Sequence, residues 1–222
     1  MTTLVKKNSL SSRKGKGSKI KLHEKSDRKS QGYRIFSRGL DLVIVLIILF
    51  LTAPVMLLCC ILIKLEDRGP IFYTQERLGK DEKRFPVYKL RSMRTDAEKF
   101  GMQWAEKKDP RVTKIGRFIR LTRIDELPQL LNILKGDMKL IGPRPERPEL
   151  TYQFEAETPG FIKRLAIKPG VTGWAQVNGG YEITPSEKVK LDLYYMENRT
   201  FWLDIKIIFK TIKVVLTGDG AR

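Results

Sequence analysis

The stretch LTRIDELPQLLNILKGDMKLIGPRPERP, residues 121–148, organises the reading of this chain. Leu127, Leu130, Leu131 and Leu134 recur at i, i+3, i+4 and i+7, the spacing of one buried helix face. Asp125 is a favoured N-cap, Pro128 is tolerated in a first turn, and Gly136 is a natural stop. The spacing therefore predicts a helix opening at Asp125–Glu126, with both carboxylates at its positive end. An Asp-Glu pair in that place is also ordinary capping grammar, so the pair alone does not define a catalytic site. Its surroundings add weight. Arg120 and Arg123 precede it, Lys135 and Lys139 follow the helix, and Pro143-Arg144-Pro145 forms a stiff loop. An arginine in a rigid loop suits bidentate recognition of phosphate or of a planar base.

The rest of the chain narrows the chemistry. His23 is the only histidine, and it lies in a basic tail. That removes Ser-His, Cys-His and His-ligated metal mechanisms. Cys59 and Cys60 are adjacent inside an apolar run, so there is neither a disulfide framework nor a CxxC metal site. A carboxylate is left as the natural nucleophile or Mg²⁺ ligand, since Mg²⁺ is held by one or two carboxylates plus substrate phosphates. The net charge of +18 calls for anionic partners.

Residues 1–32 are rich in Lys, Ser and Gly and poor in large apolar side chains, which predicts a disordered basic tail. It reads either as a tether to anionic membrane lipid or as a solvated tail without a role. Residues 42–63, LVIVLIILFLTAPVMLLCCILI, carry no charge and are long enough to span a bilayer. Both flanks are basic: Arg34 and Arg38 before, Lys64, Arg68 and Arg77 after. Basic flanks stay on the cytoplasmic side. A helix that breaks at Ala53-Pro54 and returns to the same face satisfies both flanks, and is favoured over a single-pass helix with a tolerated proline. A soluble nucleic-acid binder is excluded by this stretch.

Residues 70–77 and 85–93 read as a β-hairpin across a polar turn at Gly79, with Lys89 and Arg91 on one face. Residues 95–104 and 112–121 read as helices, the second carrying a stripe at Val112, Ile115, Phe118 and Ile119. Residues 159–180 read as Gly/Pro-punctuated turns and strands, and 185–198 as a helix. Residues 201–216 read as a helix with a broad Trp/Phe/Ile face and lysines elsewhere on it, which fits a helix lying at a membrane interface. The fold class expected is α+β and mostly helical. It would have a re-entrant membrane segment (33–65), a small β-hairpin, and amphipathic interfacial helices around a catalytic domain (66–222).

The ordered set KLRSM (89–93), RFIRLTRIDELPQLLNILKGDM (117–138), IGPRP (141–145), KPGVTGWAQVNG (168–179) and LDLYYMENRTFWLDIKII (191–208) resembles the bacterial sugar transferase family. These are the monotopic phosphoglycosyl transferases of polyprenyl-phosphate pathways. The resemblance runs from about Ser37 to Leu216 and is to the small form, with one membrane hairpin and no additional membrane domain. It implies transfer of a sugar 1-phosphate from a UDP-sugar to undecaprenyl phosphate with release of UMP, initiating a surface polysaccharide or glycoconjugate. It implies Asp125 as the nucleophile carrying a phospho-sugar, and Glu126 as the partner for Mg²⁺ (or Mn²⁺), with Asp125 beside it. Arg120, Lys89 and Arg91 would meet phosphate, and Pro143, Arg144 and Pro145 the nucleotide end. The expected place is the cytoplasmic face of the bacterial plasma membrane. Expected partners are UDP-sugar, polyprenyl phosphate, anionic lipid and later-acting glycosyltransferases, and not nucleic acid. Two departures stand out: the family turns its hairpin at Ser-Pro where this chain has Ala53-Pro54, and Gly180-Tyr181 stand where many members have arginine. The competing class is a non-catalytic, membrane-tethered basic scaffold for acidic lipid or polysaccharide.

Overall fold

A computed structural model describes residues 31–99, 109–179 and 183–217. The first described element is a long helix, α1 (Gln31–Glu66), charge-free from residue 42 to 63. Only 11% of its most hydropathic window is buried against the rest of the protein. A core helix would bury most of that surface. Phe50, Leu51, Leu57 and Leu58 instead point away from the protein, as side chains solvated by lipid do.

The structure modifies the expected break at Ala53 and Pro54. Helix α1 is assigned without interruption from Gln31 to Glu66, with Pro54 inside it. Proline removes one backbone hydrogen bond, and Thr52 Oγ1 donates back to the Ile48 carbonyl at 2.7 Å. Both features bend helices without having to end them. Both ends of α1 dock on one folded unit. Towards its start, Arg38 donates to the Ile133 and Leu134 carbonyls at 2.7 and 3.1 Å, and Val45 is buried with Leu130, Ile133 and Met138. Towards its end, Cys59 and Ile63 pack with Leu90 and Ile119. There, Glu66 accepts from the Lys114 and Ile115 amides at 2.7 and 2.9 Å.

The hairpin forms as expected: β1 (Phe72–Leu78) and β2 (Arg84–Leu90) pair antiparallel, with Tyr73 opposite Lys89. Residues 95–99 form turns rather than the expected helix, and 100–108 lie outside the described residues. Helix α2 (Lys114–Leu121) follows, capped by the Thr113 side chain on the Gly116 amide. Arg123, at φ 57°, then reverses the chain into a 3₁₀ turn over Ile124–Glu126, and α3 (Gln129–Lys135) begins only after Pro128. This corrects the expected helix start. Pro128 has no N–H to continue an α-helix backwards, so Asp125 caps nothing and sits in the tight turn ahead of the helix. The buried face is corrected in part: Leu127 and Leu134 pack half-buried against the Leu130 cluster as expected, and the departures lie between them. Leu130 and Ile133 are inside, Leu131 is 40% exposed, and Asn132 is fully buried. Gly136 ends α3 at φ 89°, as expected.

Strands β3 (Lys139–Ile141) and β4 (Gly170–Thr172) form a short parallel pair, and α4 (Pro148–Glu157) lies between them in sequence. Their backbones approach so closely that a Cβ at Gly170 would lie 2.0 Å from the Gly142 nitrogen. Next come α5 (Trp174–Gly179), α6 (Pro185–Asn198) with a Thr184/Glu187 capping box, and α7 (Phe201–Thr217). Ile207 of α7 is buried with Ile141, Ile167 and Tyr195. Trp202, Phe209, Ile212 and Leu216 of α7 remain exposed. The described fold is thus mostly helical α+β, with two two-stranded sheets.

Candidate active site

The hairpin, the turn before α3 and the loop after β3 converge on Asp125–Glu126. The positive φ of Arg123 is rare for a side chain with a Cβ, and it aims the Ile124–Glu126 turn back at the hairpin. Asn132 fixes the hairpin against α3. Its Nδ2 donates to the Pro86 carbonyl at 2.7 Å, and its Oδ1 accepts from the Tyr88 amide at 3.1 Å. The next residue, Lys89, extends from β2 and reaches Glu126 Oε1 at 3.0 Å. Arg144 enters from the loop after β3 and forms an ion pair with the same carboxylate, its Nη1 lying 3.3 Å from Oε2.

The two acids therefore differ. Both Glu126 oxygens are taken by cations. Asp125 is only 8% exposed, and no described residue gives its carboxylate a hydrogen bond or a close ion pair. Burial pushes the Asp125 carboxyl up to about 6, with repulsion from Glu126 adding to it, against the pull of Lys89, Arg120 and Arg144. Burial acts on Glu126 in the same direction, but Arg144 and Lys89 overcome it and hold that carboxyl well below its usual range. One acid is a bound anion, while the other is a desolvated carboxylate without hydrogen bonds to blunt its nucleophilicity.

Of the residues singled out by sequence, Lys89, Arg144, Asp125 and Glu126 come together, and Arg120 lies close enough to act on Asp125 electrostatically. Pro143 and Pro145 flank Arg144 in the backbone. Arg91 is not with them: it is buried past the end of β2, where its guanidinium holds Asp67, 3.6 Å from Oδ2. Lys135 donates to the Tyr88 hydroxyl at 2.6 Å, and Lys139 to Ser37 Oγ at 2.7 Å, so neither reaches the acid pair. Gly180 and Tyr181 lie outside the described residues. Trp174 stacks on Tyr194 at 5.8 Å rather than opening onto the acids.

Sequence reading passed over a second layer. Glu146, buried two residues after Arg144, binds Lys188 and lies 3.5 Å from Arg77, while fully buried Arg164 binds Asp192 at 2.6 Å. Asn132 was also overlooked, although a lone amide in an apolar helical run is a signal for a buried bridging side chain.

Among the described residues no three His, Cys, Asp or Glu side chains gather into a metal cage. Mg²⁺ of the kind that substrate phosphates help to hold needs only one or two protein carboxylates, and Asp125 fits that, with Glu126 joining through Oε2, which Arg144 holds at 3.3 Å and would have to share.

The profile of the family described as bacterial sugar transferase matches residues 32–218. An Aeromonas hydrophila protein, UDP-N-acetylgalactosamine-undecaprenyl-phosphate N-acetylgalactosaminephosphotransferase, is 47% identical over 86% of this chain and 46% of its own length. The UDP-glucose:undecaprenyl-phosphate glucose-1-phosphate transferase of Escherichia coli (strain K12) is 41% identical over 81% of this chain and 40% of its own. The undecaprenyl-phosphate galactose phosphotransferase of Salmonella typhimurium is 39% identical over 85% of this chain and 42% of its own. The chain thus spans somewhat less than half the length of these relatives.

Proposed function

The chain belongs to the bacterial sugar transferase family, and from that premise we propose that it transfers a sugar 1-phosphate from a UDP-sugar to undecaprenyl phosphate, releasing UMP. The observation that carries this reading is the inequality of the two acids: Asp125 buried and, among the described residues, without a hydrogen bond, Glu126 bound by Lys89 and Arg144. A binding scaffold has no need for such a pair.

In the first step an Asp125 oxygen attacks the phosphorus that bears the sugar. The bridging P–O bond to the nucleoside phosphate breaks, and UMP leaves with that electron pair. A phosphate oxygen of undecaprenyl phosphate then attacks the same phosphorus. The acyl-phosphate bond breaks, Asp125 is restored, and the lipid diphospho-sugar is formed. Lys89, Arg120 and Arg144 offset the phosphate charge that would otherwise repel a carboxylate nucleophile. Glu126 and Asp125 would hold Mg²⁺ (or Mn²⁺), which when bound polarises the phosphoryl oxygens. The relatives' names carry N-acetylgalactosamine, glucose and galactose, so family membership leaves the sugar open.

The reaction takes place at the cytoplasmic face of the plasma membrane. Helix α1 supplies the anchor, and the contacts that both of its ends make with one domain support a re-entrant path over a bilayer-crossing one. The exposed apolar side chains of α7 lie in the interface beside it.

The test is UMP release from a panel of UDP-sugars with undecaprenyl phosphate, using the full chain in lipid nanodiscs. One sugar should support release, EDTA should end it, and Asp125→Asn should abolish it. Full activity in Asp125→Asn would overturn the mechanism, and release with no sugar in the panel would overturn the reaction.

A further inference from the structure

The loop that presents Arg144 is gripped at both ends. At its entry the grip is backbone alone: the Gly142 amide donates to the Thr172 carbonyl at 2.9 Å, and the Gly170 amide to the Pro143 carbonyl at 3.0 Å. At its exit the Leu78 amide donates to the Glu146 carbonyl at 3.0 Å, and charged side chains complete the hold. Arg77 Nη1 donates to the Pro145 carbonyl at 3.3 Å and lies 3.5 Å from Glu146 Oε2. One guanidinium nitrogen thus ties the Glu146 carboxylate to the backbone immediately after Arg144. Lys188, from α6, holds the other Glu146 oxygen. Arg164 and Asp192 lie behind them as a buried pair.

Among the described residues, none of these five side chains hydrogen-bonds or forms an ion pair with Asp125 or Glu126. Buried ion clusters of this kind rarely stabilise a fold better than apolar packing would. Their geometric effect is specific: they fix the backbone on the exit side of Arg144, where β4 does not reach. We infer that Glu146 is a positioning residue that acts through Arg77 and the Pro145–Glu146 backbone to hold Arg144 where the UDP-sugar binds. This inference rests on the proposed role of Arg144 towards the nucleotide sugar.

The experiment is a double-mutant cycle on the full chain in nanodiscs, with kcat and KM measured separately for each substrate. Arg144→Gln should raise KM for the UDP-sugar. Glu146→Gln should raise the same KM about tenfold, with KM for undecaprenyl phosphate unchanged, and should add nothing in the Arg144→Gln background. Arg77→Lys keeps the charge but cannot reproduce the guanidinium bridge, so it should repeat the Glu146→Gln effect. It also serves as the second variant if Glu146→Gln fails to fold. Independent, multiplicative effects of Glu146→Gln and Arg144→Gln would overturn the inference. So would parallel losses for both substrates that follow Tm. An Arg144→Gln effect with none from either Glu146→Gln or Arg77→Lys would sink the positioning role and leave the proposed function standing. No effect from Arg144→Gln would refute the Arg144 role, and the inference with it.

Discussion

Replacing Asn132 with leucine removes a bridge without removing volume. In the native fold Asn132 is fully buried, and its amide bonds the Pro86 carbonyl at 2.7 Å and the Tyr88 amide at 3.1 Å. Leucine leaves both backbone groups without a partner. An unsatisfied buried backbone group costs about 1–3 kcal/mol, so two cost about 4 kcal/mol. The added apolar burial offsets about 1.5 kcal/mol of that. The net loss is about 2–3 kcal/mol, which for a chain of this size lowers Tm by about 5–10 °C. The loss is local as well as global, because Tyr88 directly precedes Lys89. Hydrogen exchange at the Tyr88 amide should quicken about 30- to 100-fold. Differential scanning fluorimetry in nanodiscs and exchange mass spectrometry read the two effects. A Tm within 2 °C of the parent together with an equally protected Tyr88 amide would show that Asn132 does not hold the hairpin to α3.

Asp125→Asn, inactive by the proposed mechanism, should nevertheless stabilise the protein at neutral pH. The Asp125 carboxyl titrates at about 6 when folded. Ionisation therefore destabilises the fold increasingly as pH rises from about 4 to about 6, by up to about 3 kcal/mol above that. The Tm advantage of the variant should appear at pH 7.5 and vanish near pH 4, and a lower Tm at pH 7.5 would contradict the burial argument. Glu146 has the opposite sign. Burial raises its carboxyl, but Lys188, Arg164 and Arg77 bring it down to about 2. Its stabilisation is complete above about 4.5 and is lost as pH falls from there towards 2, by about 3 kcal/mol in all. The Tm gap between the native chain and Glu146→Gln should hold steady from pH 5 to 8 and close at lower pH, and a gap unchanged down to pH 3 would count against it. For topology, single cysteines at Ser30 and Arg68, with Cys59 and Cys60 replaced, should be labelled from the same side of intact cells. Labelling from opposite sides would refute the re-entrant path.

Much of the candidate site was legible because its signals are local. Asp125-Glu126, the Pro-Arg-Pro stiffness, the hairpin register that presents Lys89, and the charge-free run from 42 to 63 are all readable from neighbouring residues. Other features depend on distant ones. Arg91 shares a strand face with Lys89 by alternation, yet the strand ends at Leu90 and Asp67 captures the guanidinium. Leu131 fits the helical stripe, but α3 begins after Pro128, and the hairpin meets the face carrying Leu130, Asn132 and Ile133.

The sequence by itself determined the long charge-free helix, most of the short elements and the acid pair, because periodicity, proline and charge act over a few residues. It left the two acids equivalent as residues, and only a family resemblance told them apart. Tertiary structure makes the two carboxylates physically unequal. Lys89 and Arg144 arrive from elements far apart in sequence and converge on Glu126, while Asp125 is buried without such a partner. Electrostatic environment is a property of what surrounds a group in space, and that is settled only when the chain has folded.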